Sequence, residues 1–398
     1  MISDEIAKIL SYGTMFAIFA LSIMTRTSTS PQKQFATPTK YLLLFIAISC
    51  FMPMFANVDQ TLSQTVVATI PYFSYGLYLA FRKFDIDRNF IYGLVFTIAT
   101  FAIITHIINH ITFPVITFGI PRDEYEIDRG GLRLLIIGFC YIVLAFFIAI
   151  GEWRRTHKAK WWIPIIMSFA AIVSSYTRQH IMVCAIVGMW MLLGNIGLIK
   201  KIILISAGAL LLAYTVPKIP VFNKMIDLTV EQYEENEYTT KENVRITAAR
   251  YYGYEEFETT SNRIFGNGVP SFRSNWGAAF ETHAKMEHLH THDVGWFGMN
   301  WYFGICAVLC MFYICFVAVF RKSKHSTAFI KYFFIWFFVT GFTSGTPLYQ
   351  YQIIVTVLAM ALMDCGRVQI EHRKRRGETT QWGEQFSWRR IKSQPLNK

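Results

Sequence analysis

Charge is scarce in this sequence. Only 16% of its 398 residues are Asp, Glu, Lys or Arg, whereas 53% are hydrophobic and 16% aromatic. A soluble domain carries about a quarter charged residues, so a soluble globular enzyme is the wrong class. Short segments of alternating polarity are missing, which argues against a transmembrane β-barrel. Internal repeats and heptads are missing too. Cysteine is absent from the one long polar segment. The seven cysteines (Cys50, Cys140, Cys184, Cys306, Cys310, Cys315 and Cys365) all lie in or beside apolar runs. A disulfide framework or a Cys-ligated metal is therefore not expected. The opening residues, MISDEIAK, lack the basic region of a signal peptide, so the first apolar run is expected to remain in the mature chain.

What is present is a series of long apolar runs, the signature of an all-α polytopic membrane protein. Eleven spans are predicted, at about 9–24, 41–57, 65–81, 91–112, 133–151, 161–175, 180–197, 201–216, 293–320, 328–344 and 347–364. They divide the chain into an N-terminal transmembrane bundle (1–216), a long polar loop (217–292), a C-terminal set of three helices (293–364) and a basic tail (365–398) expected to be disordered. The net charge of +12 sits in short loops and in the tail. The basic loops hold Arg26, Lys33 and Lys40; Arg82, Lys83 and Arg88; Arg154, Arg155, Lys158 and Lys160; Lys200 and Lys201; and Arg321, Lys322 and Lys324. One alternation of the spans puts them all on one face, which the positive-inside rule makes cytoplasmic. This is a membrane-topology pattern, and no nucleic-acid partner is expected. The loop 217–292 then faces outward, with two or three short helices lying on that face, and the tail is placed to touch anionic lipid.

Several arginines fall on the predicted outer side. Arg178, in SSYTRQHIM, stands between two apolar spans with no carboxylate near it in sequence. A charge at a membrane edge marks a functional position or a side chain reaching back to headgroups. Arg129 and Arg133 flank a Gly-Gly pair in EIDRGGLRLL and suit a phosphate or a helix anchor. Arg245 and Arg250, in VRITAARYYGYEEF, are five residues apart and so occupy adjoining faces of a helix. Guanidinium groups pair bidentately with phosphate oxygens and keep their charge when partly desolvated. A lipid-linked diphosphate is the ligand class that such a cluster beside an apolar bundle would take. FGNGVPS (265–271) reads as a tight turn in which Gly266 and Gly268 take positive φ.

The segment HLHTHD (288–293) carries three histidines at every second position, followed by Asp293, at the edge of an apolar run. In an extended stretch this spacing puts His288, His290 and His292 on one side. Three readings are open from the residues alone: a zinc site, interfacial packing, and general acid–base work by a neutral imidazole. Asp293 would orient such a ring or accept hydrogen bonds from substrate.

Taken in order, these motifs resemble a known family. Ser174 to Arg178 is similar to its Ser-Arg motif. Arg245 to Phe257 is similar to the helix before its Gly-x-Gly turn, here FGNG. His292 to Gly304, HDVGWFG…YFG, is similar to its His-Asn entry into the next span. The family is the O-antigen ligase and O-antigen polymerase superfamily of GT-C-type integral-membrane glycosyltransferases, and the architectural likeness covers about 90–364. Asp293 stands where asparagine is commoner, and Thr177 replaces the usual serine.

The resemblance implies an undecaprenyl-diphosphate-linked oligosaccharide donor, an active site at the periplasmic face of the bacterial inner membrane, and no metal or other cofactor. It implies Arg178 and Arg245 on the diphosphate and His292, or its neighbour His290, as the base. The implied activity is an inverting polymerase of O-antigen, capsule or exopolysaccharide repeats, working beside a flippase and a chain-length regulator. Its nearest rival is a ligase that moves finished polymer onto lipid A core. A transporter would show broken helices or inverted repeats with mid-span charges, and neither is seen in the sequence.

Overall fold

The computed structural model describes residues 35–56, 58–84, 86–118, 134, 136, 138–194, 196–215, 244–320 and 327–375. Among these the regular structure is entirely helical. In chain order the helices are α1 (Ala36–Phe55), α2 (Leu62–Thr69), α3 (Leu77–Lys83), α4 (Arg88–Thr112), α5 (Phe139–Thr156), α6 (Trp162–Ser174), α7 (Arg178–Leu192) and α8 (Leu198–Thr215). There follow α9 (Val244–Arg250), α10 (Thr260–Phe265), α11 (Asn275–Met286), α12 (Gly295–Phe320), α13 (Lys331–Thr340) and α14 (Gln350–Arg375). A 3₁₀ segment, Ile70–Gly76, joins α2 to α3. A helix occupies each predicted apolar run after residue 35, and the run 9–24 lies outside the described residues.

Among the described residues three helices, α1, α4 and α12, are long and apolar enough to cross a membrane. Shorter apolar helices lie at Ala159–Ser174, Arg178–Leu192, Ala328–Thr340 and Gln350–Cys365. Large apolar side chains such as Phe101, Ile111, Ile163, Ile199, Leu309 and Phe320 are exposed. Isolated examples would mean little, but on these helices they form the surface expected of a protein whose solvent is partly lipid.

Helix α5 is the inner pillar. Every residue from Phe139 to Glu152 is buried, as expected of a helix apolar on all sides. It packs against α4, α6, α7 and α14. The predicted span, 133–151, is shifted here to Phe139–Thr156. Gly138, at φ 81°, sets the start. At the other end Glu152 does not stop the helix, because its charge is matched. Arg88 and Arg155 both donate to its carboxylate, and the Tyr92 hydroxyl adds a bond of 3.1 Å. Breaking a buried ion pair costs about 3–5 kcal/mol. Glu152→Ala is therefore expected to lower the thermal unfolding temperature of the detergent-purified protein clearly, with Glu152→Gln in between. Wild-type melting of the alanine variant would show that the cluster contributes nothing.

The tail departs from expectation. Helix α14 continues through residue 365, where disorder was expected to begin, and ends at Arg375. The segment VQIEHRKR holds several residues of good helix propensity.

The polar insert is joined to α12 by an uncommon junction. Gly304 sits inside α12 with φ 77° and ψ 170°, so the helix breaks there. The freed carbonyls of Trp301 and Tyr302 accept bonds from the Asn267 and Gly268 N–H groups, at 2.8 and 3.1 Å. An apolar setting demands such partners. The two backbones approach so closely that a Cβ on Gly304 would lie 2.1 Å from the Ile264 carbonyl oxygen, and one on Gly266 would lie 2.3 Å from that of Tyr302. The FGNG turn is a graft of the insert onto a broken helix, with Gly266 at φ 81° and Gly268 at φ 84°.

Candidate functional site

The histidine segment shows the alternation read from its sequence. Leu289 and Thr291 are buried, while His288, His290 and His292 are exposed. His288 enters in the left-handed region at φ 56°, and Thr291–Asp293 close a 3₁₀ turn before α12. Two bonds hold the segment from behind. The Tyr252 hydroxyl donates to the Leu289 carbonyl at 2.7 Å, and the hydroxyls of Thr291 and Tyr302 lie 3.0 Å apart. Tyr252 follows α9, so the first bond couples the two ends of the described insert.

His292 and Asp293 open into a cavity of about 160 Å³. One water needs roughly 10–15 Å³ on this measure, so the space is ligand-sized. Arg245 lines it from the first turn of α9. Arg250, which is exposed and five residues on, is outside the lining. Of these two arginines, both offered to a phosphate by the sequence, only Arg245 lines the cavity.

Helix α7 contributes its N-terminus. Ser175, Thr177, Gln179 and His180 line the cavity, whereas Arg178 between them does not. Thr177 occupies the N-cap position without capping, since its hydroxyl bonds the Ser175 carbonyl at 3.2 Å. The α7 start is a 15-residue helix's positive end directed at the cavity, a general anion-binding arrangement. His180 packs against Phe139 and Trp336 with tilted rings, at centroid separations of 5.0 and 5.4 Å. Arg129 and Arg133 lie outside the described residues.

The turn 341–349 and the start of α14 supply a wall that sequence reading did not single out. Thr343, Ser344, Tyr349, Tyr351 and Gln352 all line the cavity. The Thr343 hydroxyl donates to the Gln179 side chain, which ties this turn to α7. A usable signal was present: GTPLYQYQ concentrates hydroxyl, phenol and amide groups between two apolar runs.

The His292 ring is stacked on Tyr349, with centroids 4.9 Å apart and an interplanar angle of 19°. Part of the ring stays exposed, and the protein packed around it removes water from the remainder. That desolvation pulls its pKa below the ordinary histidine value; Asp293 opposes the shift and His290 adds to it. Neutral His292 is the form present near pH 7, which suits a proton acceptor. All three histidines are exposed. Among the described residues no group of three or more His, Cys, Asp or Glu side chains is placed to hold a metal. His290 is not among the residues that line the cavity.

Among the described residues the arrangement offers a neutral imidazole, a carboxylate, a guanidinium, a helix N-terminus and a wall of uncharged hydrogen-bonding groups. No family model and no curated protein matches the chain.

Proposed function

We propose that this protein is a multi-pass glycosyltransferase of about eleven spans that polymerises lipid-diphosphate-linked oligosaccharide repeats at the outer face of the bacterial inner membrane. The observation that carries the reading is the meeting, in one cavity, of Arg245, His292 with Asp293, and the start of α7. These come from three separate parts of the chain, and each belongs to a motif that resembles the polymerase and ligase superfamily.

In the proposed reaction the acceptor sugar's hydroxyl gives its proton to the neutral His292 ring. Its oxygen attacks the donor's anomeric carbon as the bond to the lipid diphosphate breaks. The bonding pair leaves on the diphosphate oxygen, and attack from the opposite face inverts the carbon. Arg245 and the α7 N-terminus stabilise the charge that develops on the leaving group. Arg178, at the first position of α7, supports them from the helix end. Asp293 orients His292 or the acceptor. None of these steps calls on a metal or a cofactor.

Topology tests the proposal most directly. Reporter fusions after Lys160 and Lys201 are expected to read cytoplasm, and fusions within 244–286 to read periplasm. A cytoplasmic signal from 244–286 would remove the mechanism, because a lipid-linked repeat is joined to its acceptor on the outer side.

A further inference from the structure

Tyr349 precedes α14 and carries a ring nearly parallel to that of His292. Tyr351 stacks on Tyr349 in turn, at 5.3 Å and 10°. The backbone is built for this contact. The Gly345 carbonyl accepts from the N–H groups of Leu348 and Tyr349, at 2.8 and 3.1 Å, which closes the turn. A Cβ on Gly345 would lie 2.8 Å from the Tyr349 ring and 3.1 Å from the His292 carbonyl oxygen. The Trp296 N–H donates to the Gly341 carbonyl at 2.8 Å, which holds the turn against the segment that carries His292.

We infer that Tyr349 is a positioning residue for His292, whose stacked ring fixes the plane of the imidazole so that an edge nitrogen meets the acceptor hydroxyl. This rests on the reading of His292 as the base. The physical reason is directional. An imidazole nitrogen accepts a proton through a lone pair in the ring plane, so a ring free to rotate aims it elsewhere. A flat partner over one face restricts that rotation without competing for the nitrogen. The π-faces, and not the phenol hydroxyl, are the working parts.

The titratable and charged groups around the ring are Asp293 and His290 on its own segment, Arg245 from α9, His180 from α7, and Tyr349 and Tyr351 beside α14. Tyr349 also shields the ring from water. Its removal should let the His292 midpoint rise toward the ordinary value of about 6.5. Polymerisation requires the neutral ring, so activity is lost as pH falls through that midpoint. A raised midpoint moves the acid limb of the pH profile upward.

The experiment compares Tyr349→Phe and Tyr349→Ala in the full-length protein. The His292 midpoint is read by NMR of labelled histidines, assigned through the signal missing in His292→Ala. Polymer yield is read in cells held at external pH 5 to 8. Tyr349→Phe is expected to titrate as wild type does and to lose far less polymer than Tyr349→Ala. Tyr349→Ala is expected to raise the midpoint, to shift the acid limb with it, and to reduce polymer about 10- to 100-fold, the scale of a misplaced reacting group. Should the alanine variant not accumulate, Tyr349→Leu, which keeps bulk without a flat ring, is read in its place. Loss in Tyr349→Phe equal to that in Tyr349→Ala would mean that the hydroxyl matters, and would overturn the inference. So would an alanine variant with unchanged midpoint and yield beside an inactive His292→Ala. Normal polymer in His292→Ala overturns the base itself and the positioning role with it.

Discussion

Replacing His292 with alanine is expected to reduce polymer by about 10²- to 10⁴-fold, the usual contribution of a general base. The neighbouring histidines should not behave alike. His288 and His290 are exposed as His292 is, yet of the three only His292 lines the cavity. His288→Ala and His290→Ala should therefore retain most activity, and excess EDTA should leave purified protein active. Equal loss in all three variants, together with inactivation by the chelator, would indicate a metal site instead. The accumulating intermediate also separates two activities. A blocked polymerase leaves single repeats on the lipid, and a blocked ligase leaves finished polymer there. Normal-length polymer in His292→Ala would reduce HLHTHD to interfacial packing.

The second large effect is expected at Arg245. Lysine there keeps a charge but loses the planar fork that grips two phosphate oxygens. Arg245→Lys should lower polymer at least about tenfold, since contacts to developing charge are each worth roughly 10²-fold or more. Arg250→Lys, on the exposed adjoining face, should be close to wild type. A reversal of the two would show that the cavity at α9 is not the anion site. Arg178→Lys is expected to cost less than Arg245→Lys, because the α7 start, and not the Arg178 side chain, lines the cavity. A loss at Arg178 as large as that at Arg245 would put its guanidinium on the substrate.

The helices were legible because apolar runs announce them, and the edges were legible only in part. Hydropathy ended a span at 344 and began the next at 347, whereas α13 stops at Thr340 and α14 starts at Gln350. Gly341, Gly345 and Pro347 open this turn, but residues such as Phe342 and Leu348 keep the local average apolar. The wall that carries Thr343, Ser344 and Tyr349 was hidden for that reason. The contrast between Arg245 and Arg250 was not drawn from the sequence, which offered both to a phosphate, although five residues turn a helix by about 500°. The role of residue 178 was half readable. A lone arginine between spans stands out as a charge, but sequence does not say whether its side chain or its helix end faces the ligand. Composition also could not single out α5, because a helix surrounded by protein and one surrounded by lipid are equally apolar.

The break at Gly304 bears on bilayer thickness. Counted by hydropathy, α12 is a single 26-residue span. Its straight portion after the break, Ile305–Phe320, is only roughly 24 Å long at about 1.5 Å per residue. Most apolar residues before the break, among them Trp296, Met299, Trp301 and Phe303, are buried in protein and offer little surface to acyl chains. A hydrocarbon layer matched to this portion is several ångströms thinner than the roughly 30 Å average, a mismatch met by local thinning at modest cost. Where that thinning occurs, the phosphates of a long-chain carrier lie deeper beside α12 than in the leaflet around it.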